Sequence, residues 1–143
     1  MFAPSQEQVR RFFCEVWAKH LAGQPLTPLE AQAADWIVQH PEYHADLSDV
    51  DAALSAMFSV EEGRTNPFLH LSMHLSITEQ VSIDQPRGIR AAVDTLAHRR
   101  HSLHDAHHEI MEALGEMVWA SQRSGLPFDG QAYIDRIRMR AGH

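Results

Sequence analysis

Three histidine pairs are spaced to share a helix face, and they are the part of this sequence that could do chemistry. His70 and His74 lie four residues apart, as do His104 and His108, with Glu112 one turn further on, and His40 and His44 repeat the spacing across Pro41. Side chains at i and i+4 are neighbours on one side of a helix. Each pair can therefore aim two imidazoles, or an imidazole and a carboxylate, at one point, which is how a helix supplies half of a metal site. Imidazole with carboxylate and without thiolate suits iron, zinc or nickel and disfavours calcium and magnesium. The expected ligand set is His40, His44, His70, His74, His104, His108 and Glu112, around one or two ions of iron or zinc.

Burial separates a ligand from a surface residue. Steps of about 100° per residue put His70 between Ile77 and Val81, flanked by Met73 and His74, with Ser72, Ser76, Glu79 and Gln80 opposite. His104, His108 and Glu112 share a face with His101, Gly115 and Trp119, beside the stripe Leu103, Ile110, Leu114 and Met117. His40 continues the stripe of Leu29, Ala33, Trp36 and Ile37. A polar ring on an apolar stripe needs a partner, because a buried group left unsatisfied costs about 1–3 kcal/mol. One ion satisfies several such donors together. His98, His107 and His143 receive no role, and His20 reads as a last-turn residue of a helix.

Three rival readings use the same residues. In the first, the histidines form a hydrogen-bonded core network without metal. The chain is then a non-enzymatic interaction module that presents Met57 and Phe58 to a partner or to a second copy in a homodimer. The second is a pH switch, since protonating all 11 histidines would carry the formal charge from −7 to +4. The third is haem on paired axial histidines, although no CxxCH motif is present to attach it. Neither a zinc-hydrolase HExxH nor paired ferritin-type ExxH motifs occur. The histidine-rich balance is similar to hemerythrin-type di-iron bundles, or to three-histidine bundles holding one metal, in architecture only, because the order of the pairs differs. Catalysis is left open, since it needs a vacant coordination position.

The elements that must carry these residues all read as helices. Ser5 with Gln8 and Thr27 with Glu30 are capping-box patterns, Gly23 is a C-terminal cap, and Pro28 sits at a first helical position. Pro41 ends the second helix, Pro41–Leu47 reads as a short helical turn, and Val50–Phe58 as a short helix after Ser48. Glu61–Thr65 reads as a loop, and Asn66-Pro67 opens a helix running to Ile83. Asp84-Gln85-Pro86 interrupts it. A helix with Ile89, Val93 and Leu96 on one side follows, then the longest helix from Ser102 to Gly125, and a last one capped by Asp129. No stretch alternates with period two. The expected fold is all-α, a single-domain bundle over residues 1–143 with about four main helices and short accessory ones.

Composition narrows the functional classes. The chain has 143 residues, 44% hydrophobic, and a net charge of −7, which argues against a general nucleic-acid binder needing a basic face. No apolar run approaches the ~18 residues of a membrane span. Cys14 is the one cysteine, so an intrachain disulfide framework is ruled out, and Cys14 is expected as a half-buried thiol on a helix. The first residues lack a secretory pattern, so the expected location is the cytoplasm. No phosphate loop or nucleophile elbow is found.

Five blocks carry a family likeness: Gln39–His44, Thr65–Leu75, Ile83–Pro86, Met111–Met117 and Ser121–Pro127. Together they resemble a bacterial family known as domain of unknown function 1841. The resemblance spans nearly the whole chain and implies a small bacterial protein that is one domain. It implies no activity and assigns no functional residue.

Overall fold

The computed structural model describes residues 5–58 and 66–142. The loop expected at Glu61–Thr65 and His143 lie outside the described residues. Every regular element among the described residues is helical: α1 Gln6–Leu21, α2 Pro28–Val38, a 3-10 turn Pro41–Tyr43, α3 Val50–Ser55, α4 Pro67–Ile83, α5 Ile89–Arg100, α6 Leu103–Ser124 and α7 Gly130–Arg140. The protein is all-α, as the sequence pattern predicts. No described helix is long and apolar enough to cross a membrane.

Local chemistry fixes the helix ends. Ser5 and Thr27 each close a reciprocal capping box, with Gln8 and Glu30 returning the bond. Asn66 accepts from the Phe68 and Leu69 amides, Ser102 from Asp105, and Asp129 from Ala132. These caps satisfy backbone donors that a helix start leaves orphaned. One boundary moves: α3 ends at Ser55 rather than Phe58, and Asp49 caps its start by accepting from the Asp51 and Ala52 amides.

The chain divides into two compact units, Met1–Leu75 and Ser76–His143, with α4 contributing residues to both. In the first unit α1 packs on α2 and α3. Its core joins Phe13, Val16 and Trp17 of α1 to Ala33, Trp36 and Ile37 of α2, with Leu47, Ala53, Phe68 and Leu71. Cys14 is buried among them, and burial, then Asp49 and Glu15, push its thiol upward, so it is a packing residue rather than a nucleophile. Arg10 is also buried. Its guanidinium donates to the Ala53 and Ala56 carbonyls at 2.7 Å and lies over the Phe58 and Phe68 rings, capping the end of α3 from another helix.

In the second unit α5, α6 and α7 contact one another pairwise. Ile89, Val93 and Leu96 of α5, Ala106, Ile110, Ala113 and Met117 of α6, and Tyr133, Ile134 and Ile137 of α7 are buried there. The turn from α4 to α5 is clasped from both sides. Asp84 accepts from the Gly88 and Arg90 amides, while the Arg90 side chain donates to the Val81 and Ser82 carbonyls at 2.9 and 2.8 Å. The bond from the Arg90 amide, helped by that from Gly88 and by the charges of Arg90 and Arg87, holds the Asp84 carboxyl below its usual range against desolvation.

Candidate metal centre

The end of α2 shows why histidines gather there. Pro41 cannot continue the helix, and α2 stops at Val38 with carbonyls still needing donors. Two imidazoles bond there: His40 Nδ1 lies 2.8 Å from the Trp36 carbonyl, and His44 Nε2 lies 2.9 Å from the Ile37 carbonyl, which also accepts from the His40 amide. A carbonyl only accepts, so His40 carries its proton on Nδ1 and His44 carries one on Nε2. His40 is 2% exposed, and its Nε2 lone pair points away from the helix end.

His70 and His74, one turn apart on α4, meet that lone pair. His70 Nε2 stands 3.1 Å and His74 Nε2 3.4 Å from His40 Nε2. Nitrogens bound to one tetrahedral ion at about 2.0–2.1 Å stand about 3.3–3.4 Å apart. The separations of His70 and His74 from His40 are close to two edges of such a site.

Aromatic rings wall the cluster. Trp36 stacks on His74 at 4.0 Å with planes 14° apart, and Tyr43 lies parallel to His40 at 5.2 Å and edge-on to His70 at 5.7 Å. His74 is 0% exposed and His70 half-buried. Burial, then Glu42 and Asp46, raise the Tyr43 phenol above its ordinary value, so it stays protonated at neutral pH. A largely buried, aromatic-lined cluster strengthens any bond to a cation held there.

The other expected residues are placed as follows. His44 is half-buried against Trp17, at 4.1 Å between rings, with its Nε2 engaged by the Ile37 carbonyl. His104 and His108 are half-buried on α6 with rings 4.3 Å apart, so that helix does hold two imidazoles side by side. Glu112, expected on the same inward face, has a side chain 67% exposed and paired with Arg140 at 3.1 Å. The reason is the rotation of α6. Its most buried side runs through Ala106, Ile110, Ala113 and Met117, where small alanines let α5 and α7 approach, and this turns Leu103 and Glu112 outward.

That rotation also buries a histidine that the sequence reading passed over. His107 is 2% exposed, and burial, then the nearby charges of His104 and His108, push it down to about 4. It is uncharged at neutral pH. Its signal was the alanine side of the helix, which an apolar stripe judged by large side chains does not register. Trp36 and Tyr43 were likewise not foreseen as the walls of the cluster, although Trp36 stands four residues before His40.

A family model described as a domain of unknown function (DUF1841) matches residues 5–139, nearly the whole chain. No curated protein matches. No solved structure matches either.

Proposed function

The chain belongs to the DUF1841 family, and we propose that it works as a helical metal-binding protein whose centre is His40, His70 and His74. The observation that carries this reading is the convergence of three Nε2 atoms, at 3.1 and 3.4 Å from that of His40, with the His40 tautomer set by a backbone carbonyl. Nδ1–H held by a carbonyl and Nε2 left to ligate is the usual arrangement of a metal-binding histidine. The donor set is neutral imidazole without thiolate, which suits zinc or ferrous iron. With Glu112 facing Arg140 rather than the interior, one ion fits this reading better than a carboxylate-bridged pair.

The test is metal content and optical response of the purified chain after expression with iron and zinc. About one ion per chain is expected, lost in His70→Ala and His74→Ala. Cobalt substitution should give the visible bands of a nitrogen-ligated ion, and a paramagnetic ion should quench Trp36, which stacks on His74. Sub-stoichiometric metal in the native chain, with melting unchanged by a chelator, would overturn the reading.

A second reading has its own support, because the same nitrogen separations lie within or near hydrogen-bond reach. In that case the cluster is a polar core of an interaction module. His70→Ala would then lower the melting temperature equally with and without chelator, whereas with a bound ion the chelator alone reproduces most of the loss.

A further inference from the structure

On α6 the residues Glu112, Gly115, Trp119, Gln122 and Arg123 follow one another at steps of three and four, apart from the final adjacent pair, and so form a single seam along the helix. The seam faces solvent: Trp119 is 59% exposed, and Gly115, Gln122 and Arg123 are exposed with it. Two of its residues are out of character for a solvated helix face. Trp119 is a large ring left in water, with the Arg123 guanidinium 5.1 Å over it. Gly115 lies in the helix interior, where glycine weakens a helix relative to alanine, yet a Cβ added there would meet nothing within 4 Å. A knob and a hole thus stand one turn apart on the same seam.

Their positions share a symmetry. The midpoint of Gly115 and Trp119 is residue 117, and the midpoint of Glu112 and Arg123 falls between 117 and 118. A single two-fold axis beside residues 117 and 118, relating antiparallel copies of α6, brings both pairs into register. Trp119 then seats over the partner's Gly115, and Arg123 meets the partner's Glu112. Arg123 has no carboxylate partner among the described residues. Glu112 already binds Arg140 and has lone pairs to spare for a second cation. We propose that this seam is an isologous interface between two copies of the chain, built from a Trp knob, a Gly hole and a reciprocal Glu–Arg pair. Tryptophan and arginine at the centre of a contact are the residue types that carry most binding energy.

Sedimentation equilibrium of the full chain tests it. The native chain is expected at twice the 16.2 kDa of one copy. Gly115→Gln should keep the helix content and melting temperature, because its Cβ enters open space, yet sediment as a monomer because it fills the hole. Glu112→Lys and Arg123→Glu should each be monomeric alone, and a mixture of the two should dimerise, since both cross-pairs are then of opposite charge. A native chain that is monomeric, a Gly115→Gln chain that stays dimeric, or a mixture that stays monomeric each overturns the proposal.

Discussion

In Met1–Leu75 the polar groups of the interior are imidazoles and the Arg10 guanidinium, and in Ser76–His143 they are kept almost entirely at the surface. The first unit buries His40 and His74 against Trp36 and Tyr43, with ring nitrogens turned toward one another. The second buries His107 and otherwise spends its charges on a ladder of Arg100, Arg136 and Arg140 with Glu109, Glu112 and Glu116 along α5, α6 and α7. Exposed ion pairs of that kind contribute about 0–1 kcal/mol each. Convergent buried imidazoles are different, because burial removes water from ring nitrogens that stand 3.1 and 3.4 Å from that of His40. Two units of similar helical make-up thus differ in kind: the second sets its charges in surface ion pairs, and the first gathers imidazoles in its interior.

Variants can break or sharpen that contrast. The largest expected effect is on His74→Ala, which should lose the ion altogether by metal mass spectrometry, while Ile110→Ala in the second unit costs about 2–5 kcal/mol in a urea melt and keeps it. If Ile110→Ala also empties the chain, the units are not functionally distinct. Next comes Gly130→Ala. A Cβ there would stand 2.8 Å from the Pro86 Cβ, an overlap expected to cost about 1–3 kcal/mol, read as a lower urea midpoint with ion content unchanged.

Smaller still is the contribution of Tyr133, whose hydroxyl donates to Gln80 at 2.9 Å and whose ionisation burial pushes upward. The unfolded phenol ionises near ~10, and the folded one above that. Its stabilisation is therefore complete below that pH and lost as pH rises past it. Tyr133→Phe should cost about 0.5–1.5 kcal/mol at neutral pH and flatten the alkaline fall of the urea midpoint. A variant with the same alkaline slope as the native chain would show that another group is responsible. The smallest effect belongs to Glu112→Gln, with a stability change within about 0–1 kcal/mol and no change in bound metal. Metal loss in that variant would restore the carboxylate to the ligand set.

Much of this was legible in the sequence because its signals are local. Capping boxes at Ser5 and Thr27, caps at Asn66, Ser102 and Asp129, and the stop at Pro41 each depend on a few neighbouring residues and appear where the pattern puts them. His40 and His74 point inward for the same reason, since they continue strong apolar stripes. The rotation of α6 was not legible. The buried side runs through the small residues Ala106 and Ala113, so His107 turns in and Glu112 turns out against the pattern of the larger side chains. His44 escaped for a different reason: beyond Pro41 the helix register no longer applies, and the ring bonds the Ile37 carbonyl.

The bond from His40 Nδ1 to the Trp36 carbonyl has a consequence for motion. A cation on Nε2 would draw electron density through the ring and make the Nδ1 proton a stronger donor to the carbonyl that closes α2. Loading the centre would therefore tighten the helix end that presents it. Amide protons in the last turn of α2 would exchange more slowly with solvent deuterium in the loaded chain than in the stripped one.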